Sequence, residues 1–156
     1  MIENDDTAAL NLDEKVMIGI VRLAETFKKK SSAIFKNYGL TFSQYNVLRV
    51  LNSSTSGINN VTNVSRIMLV TGANMTGLAK RLEREGFLLR KKDPSDERVT
   101  LLEISPKGKR TLKNIEREKE AHVTSYLADF PTSQKDDLLD MIKHIISISN
   151  SQESAG

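Results

Sequence analysis

Residues 71–108 read TGANMTGLAKRLEREGFLLRKKDPSDERVTLLEISPKG, and two periodicities meet inside them. In the first half Met75, Leu78, Ala79 and Leu82 recur at spacings of three and four, the stripe of an amphipathic helix. Thr71 is placed to cap that helix and Gly86 to end it. Beyond Gly86 the period changes. Phe87-Leu88-Leu89 runs into Arg90, Lys91 and Lys92, the turn sequence DPSDER follows, and Val99 to Ile104 resumes an apolar run. That is the pattern of a β-hairpin with a charged tip. Ser105-Pro106 then opens a further helix, with serine at the cap and proline at the first position, where no N–H is needed.

Upstream, Val61, Val64, Ile67 and Met68 place a short helix over about 61–68, one turn before Thr71, which completes a helix-turn-helix. The run Asn52 to Asn60, NSSTSGINN, is turn chemistry and predicts a loop. Before it, Thr41 or Ser43 caps a helix carrying Tyr45, Val47, Leu48 and Leu51. A long amphipathic helix over about 12–38, striped by Val16, Ile20, Leu23, Phe27, Ile34 and Phe35, ends at Gly39, and the Val16/Ile20/Leu23 part of the stripe can pack within the chain or across a twofold. Downstream, Leu112, Ile115, Val123, Tyr126 and Leu127 extend the helix begun at Ser105, and Pro131 with Thr132 or Ser133 opens a last one striped by Leu138, Leu139, Ile142, Ile145 and Ile146. The expected fold is mainly α with a small β-hairpin wing. A winged helix-turn-helix lobe over about 40–106 is flanked by long helices over about 12–38 and 107–149, in one domain spanning 12–149. The acidic amino end, 1–11, and the tail, 150–156, are expected to be flexible.

A helix-turn-helix followed at once by a basic hairpin points to double-stranded DNA: the second helix enters the major groove and the wing reaches a neighbouring backbone or minor groove. The residues opposite the apolar stripe are Thr71, Ala73, Asn74, Thr76, Gly77, Lys80, Arg81 and Arg84. Asn74 suits an adenine edge, Thr76 a thymine methyl or a phosphate, and Thr71 with the free amides of the first turn a phosphate. Lys80, Arg81 and Arg84 suit the backbone. On the wing, Arg98 is the groove candidate, since a narrow minor groove concentrates negative potential. Asp96 is read as holding the wing in shape, by pairing with a nearby arginine. Gly72 and Gly77 weaken the helix by about 1 kcal/mol each relative to alanine, which close approach to another surface would explain.

The remaining composition narrows the alternatives. Net charge is only +3, so the case rests on where the charge lies: Glu3, Asp5, Asp6, Asp13 and Glu14 lead the chain, and most arginines fall between Lys80 and Arg117. With no cysteine, disulfides and thiolate metal sites are excluded. No secretory signal or membrane span is legible, which predicts a cytoplasmic protein. His122 and His144 lie on different helices without clustered acids, and neither a nucleophile motif nor a phosphate-cradling glycine loop occurs, so no catalytic residue, metal site or cofactor is expected. The competing class is a winged-helix protein-interaction module without specific DNA binding, which need not keep Lys80, Arg81, Arg84 and Arg98 on one face.

Leu82-Glu83-Arg84-Glu85-Gly86, Asp96-Glu97-Arg98 and Ile104-Ser105-Pro106-Lys107-Gly108, in that order and at these separations, resemble the core of the MarR family of multiple-antibiotic-resistance regulators. Leu40 to Leu48 also resembles the start of that family's second helix, and the resemblance covers about Leu12 to Ile146. Two positions depart from it: Glu97 stands where many members carry a second arginine, and Ile104-Ser105-Pro106 replaces the commoner Leu-Thr. The resemblance implies a homodimer formed by the terminal helices on a pseudo-palindromic operator, and a repressor released by a small anionic aromatic effector. Phe27, Phe35, Tyr38 and Tyr45 are the candidate lining of that effector site, with Lys28 to Lys30 as anion partners.

Overall fold

A computed structural model describes residues 10–153. The expected flexibility of the amino end falls largely on residues 1–9, outside the described residues, as do residues 154–156 of the tail. Among the described residues six α-helices and three strands follow in the order α1 (Leu12–Lys36), α2 (Phe42–Asn52), β1 (Ile58–Asn60), α3 (Val61–Ile67), α4 (Gly72–Arg84), β2 (Leu88–Lys92), β3 (Thr100–Ile104), α5 (Pro106–Tyr126) and α6 (Thr132–Glu153). The chain divides into two compact units within α5, one ending at Arg117 and the other beginning at Glu118.

The first unit is built around one core. Leu48, Leu51, Val64, Met75, Ala79, Leu82, Leu88, Leu102 and Ile115 are fully shielded, so α2, α3, α4, the sheet and the start of α5 share a single apolar interior. Local chemistry sets the helix starts. Asn11 and Glu14 form a reciprocal capping box on α1, and Thr41 and Gln44 form another on α2, each satisfying two amides that the helix itself leaves open. Asn60 caps α3 and Thr71 caps α4.

Three expectations need correction. The stretch read as a loop, Asn52 to Asn60, ends in β1, which pairs antiparallel with β3 (Ile58 opposite Glu103, Asn60 opposite Leu101). The wing is therefore part of a three-stranded sheet ordered β1-β3-β2 rather than a lone hairpin. Asparagine is a poor strand former, and only the distant β3 makes a strand of INN. Ile67, assigned to the inner side of α3, is exposed, because so short a helix buries Val64 fully and Val61 and Met68 in part. Finally, α6 continues to Glu153, into the stretch read as tail, since nothing between Ile148 and Glu153 breaks a helix.

In the second unit α6 leaves Leu138, Leu139, Met141, Ile142, Ile146 and Ile148 exposed. The amino-terminal half of α1, in the first unit, does the same with Leu12, Val16, Met17, Ile20, Val21 and Leu23. No described helix is long and apolar enough to cross a membrane.

Candidate nucleic-acid interface

Met75, Ala79 and Leu82 anchor α4 on the core, which leaves its opposite face outward. Thr71, Ala73, Asn74, Lys80, Arg81 and Arg84 are exposed, and Thr76 and Gly77 half-buried, so all eight helix residues singled out from the sequence lie off the fully buried stripe. The Thr71 hydroxyl accepts the Asn74 N–H at 3.3 Å and so retains its own proton for an anion. Thr76 Oγ1 donates to the Gly72 carbonyl at 2.9 Å, which commits its proton and leaves its methyl group and lone pairs. Lys80 and Arg81 have no carboxylate partner among the described residues, and Arg84 only grazes Glu85 at 4.0 Å. A Cβ at Gly72 or Gly77 would meet nothing within 4 Å, so packing inside the chain requires neither glycine. The turn ahead of α4 holds Leu69 at a φ of 51°, left-handed for a non-glycine residue, and 83% exposed.

The wing is β2, the turn 93–99 and β3, in register from Leu88 opposite Ile104 to Lys92 opposite Thr100. Its basic residues divide into two kinds. Arg90 Nε donates to Glu83 Oε2 of α4 at 2.7 Å, and Lys91 pairs with Glu103 across the strands. Lys92 and Arg98 are exposed and without an ion-pair partner among the described residues. The turn is tied by its acids. Asp93 Oδ1 accepts the Ser95 hydroxyl at 2.6 Å and the Ser95 amide at 2.9 Å; these bonds, the hydroxyl's foremost, hold its carboxyl below the ordinary value of 3.8. Asp96 Oδ1 accepts the backbone N–H of Arg98 at 3.0 Å. Asp96 thus shapes the wing through an arginine's amide rather than through the guanidinium pairing expected from the sequence.

Where α4 passes into β2, Gly86 takes a φ of 76°, the left-handed value that glycine tolerates. Ser105 Oγ donates to the Gly86 carbonyl at 2.7 Å and accepts the Gly108 amide at 3.0 Å. Lys107 Nζ donates to the Glu85 carbonyl at 2.6 Å and lies 4.3 Å from the centre of the Phe87 ring. Gly108 is tightly confined, for a Cβ there would stand 2.4 Å from the Phe87 carbonyl oxygen. The LEREG and SPKG segments are therefore two halves of one joint. Sequence reasoning treated them separately, and it gave Glu83, Glu103, Ser105 and Gly108 no part in shaping the wing. Nothing periodic links residues whose contact is made by the fold.

Two clefts open on this face. One of about 450 Å³ lies among α3, α4 and the wing and includes Thr76, Arg90 and Arg98; one of about 310 Å³ includes Ser43, Asn74, Gly77 and Arg81. The residues read as effector lining stand apart from both. Phe35 and Tyr45 are core, 1% and 3% exposed, their rings stacked at 4.0 Å. Tyr38 packs partly against the core, Phe27 is half-buried, and Lys28 is paired with Glu25 at 3.6 Å. Among the described residues no group of three or more histidines and acids is arranged to hold a metal ion.

Residues 29–115 match the family model described as transcriptional regulator SarA/Rot. The transcriptional regulator SarZ of Staphylococcus haemolyticus is 30% identical over 124 residues, 76% of this chain and 78% of that protein. Two solved structures share the fold. Sco3205, a MarR family transcriptional regulator from Streptomyces coelicolor in complex with DNA, has a TM-score of 0.79 at 20% identity over 88% of each chain. CouR from Rhodococcus jostii, bound to p-coumaroyl-CoA, has a TM-score of 0.77 at 22% identity over 88% of this chain and 95% of its own.

Proposed function

Because this chain belongs to the SarA/Rot family of transcriptional regulators and has the winged helix-turn-helix fold of the MarR family, we propose that it is a homodimeric repressor. It binds a pseudo-palindromic operator in double-stranded DNA and is released by a small anionic ligand. The observation that carries the reading is the outward face of α4, where Asn74, Lys80 and Arg81 are exposed, together with the exposed Arg98 of the wing, which has no ion-pair partner among the described residues. Thr71, Ala73, Asn74, Thr76 and Gly77 form the groove-facing edge, Lys80, Arg81 and Arg84 hold phosphates, and Arg98 enters the minor groove. The DNA complex of Sco3205 supports the same use of the fold.

Dimerisation is supported by the rows of large apolar residues that α1 and α6 each leave in solvent, the kind of surface that another protein surface usually covers. The flanking helices over about 12–38 and 107–149 are the dimerisation elements of the single domain, and two lobes then meet DNA about one helical turn apart. A dimer seated on a promoter occludes it, hence a repressor. Release by a ligand draws support from CouR, which binds an acyl-CoA. Phe27 and Tyr38 remain the candidate lining, with Phe35 and Tyr45 acting from behind as packing.

The test is fluorescence anisotropy of labelled duplexes from the protein's own upstream region, with a sedimentation measurement of the bound species. We expect saturable binding of one dimer per site, with affinity falling steeply as salt rises. Failure to bind that region or any genomic fragment at low salt overturns the DNA reading in favour of an interaction module.

A further inference from the structure

Glu83 is an acid on the helix proposed to approach a polyanion, and its carboxylate is spent on Arg90 of β2 at 2.7 Å, with the two side chains only 36% and 29% exposed. We propose that Glu83 is a positioning residue for DNA binding: through Arg90 it fixes the pitch of the wing on α4, so that Arg98 and the α4 face engage one duplex together. The proposal rests on the DNA reading above.

The pair spans a hinge. Between Glu83 and Arg90 the chain turns at Gly86, a residue with no side chain to restrain it. Ser105 and Lys107 hold that turn from the β3–α5 side, by the carbonyls of Gly86 and Glu85. The Glu83–Arg90 pair is a second tie across it, joining β2 to the body of α4. Arg90 also lines the cleft shared by Thr76 and Arg98, so one end of the strut belongs to the gap between helix and wing. Partly exposed ion pairs contribute little to global stability, so what this one governs is an angle rather than the fold.

The proposal makes a sign prediction. A carboxylate near phosphates repels them, so if Glu83 had no positioning role, its neutralisation would tighten binding. We expect E83Q to weaken operator binding by about fivefold, the size of a typical coupling between residues in contact, with an unchanged thermal midpoint. In an R98A background the same change should have no further effect, because the wing no longer makes the contact that the strut aims. The charge-reversed double variant E83R/R90E should recover most of the loss. Without DNA, hydrogen exchange of amides 88–99 should quicken in E83Q while amides of α2 stay protected. If the wild type binds DNA while E83Q binds as tightly or tighter, or if E83Q and R98A weaken binding independently, the positioning role is wrong and the DNA reading stands. If the wild type binds no DNA, it is the DNA reading that fails, and with it this proposal.

Discussion

Helix α4 and the wing lie side by side and both present positive charge, yet they are held by different physics. Helix α4 is fixed by what it buries, Met75, Ala79 and Leu82, so its outer side chains take no part in keeping it in place. The wing is rooted in the core by Leu88, Leu102 and Ile104, but from Arg90 round the turn to Thr100 it has little to bury. It is held by hydrogen bonds and ion pairs that consume most of its polar groups: Arg90 with Glu83, Lys91 with Glu103, Asp93 with Ser95, Asp96 with the Arg98 amide. A surface fixed by packing can vary its polar residues freely, which suits base recognition. A surface fixed by its own polar groups has few to spare, which suits a single backbone or minor-groove contact through Arg98.

Two glycines test that contrast most sharply. Gly108 lies in the joint at the wing's base, where an added methyl group would collide with the Phe87 carbonyl at 2.4 Å and with Ile104 at 2.8 Å. Backbone cannot move aside cheaply, so Gly108→Ala should destabilise the protein by about 3 kcal/mol or more in urea unfolding and take DNA binding down with it. Wild-type stability in that variant would mean that the joint is looser than its geometry. Asn74→Ala should leave unfolding unchanged. It should cost about 1–3 kcal/mol of operator binding and relax preference at one base position, as read by a panel of substituted duplexes. Arg98→Ala should weaken all duplexes alike and lower the slope of log affinity against log salt by about one per wing. A base-selective loss from Arg98→Ala would reverse the roles assigned to helix and wing.

Gly77 is the counterpart of Gly108, because a methyl group there meets only open space. Gly77→Ala should raise stability by about 0.5–1 kcal/mol, the ordinary gain from glycine to alanine inside a helix. If the backbone at Gly77 approaches DNA closely, the same variant should bind its operator more weakly despite being more stable. Equal or better binding would leave the glycine without a role in recognition.

These residues also mark how far the sequence could be read. The stripe of α4, its cap at Thr71, the strands of the wing and the cap at Ser105 follow from local period and propensity, and the structure has all of them. What escaped depends on partners far along the chain. Strand β1 exists because β3 lies beside it, Ser105 reaches the Gly86 carbonyl 19 residues back, and Glu83 meets Arg90 only once Gly86 has turned the chain. The aromatic residues mark a different limit: periodicity shows that Phe35 and Tyr45 face inward, but only packing shows that they stack on one another and leave no opening between them. Of the candidate site, the outward face of α4 was legible because it is the complement of a stripe. The support behind it was not.

The smallest effect expected belongs to the tip of the wing. Hydrogen bonds from the Ser95 hydroxyl and amide depress the Asp93 carboxyl, so the folded state binds this proton less readily than the unfolded one does. The support that Asp93 gives to the turn is therefore complete above the ordinary value of 3.8 and is lost as pH falls through the lower, folded value. Ser95→Ala removes the larger of these bonds. Carboxyl chemical shifts followed by NMR should show the Asp93 titration moving up towards the ordinary value, while operator affinity near neutral pH stays as it was, since Asp93 is ionised there in both proteins. A drop in affinity at neutral pH would mean that the Ser95 hydroxyl itself touches DNA, and the wing would then carry a second contact beside Arg98.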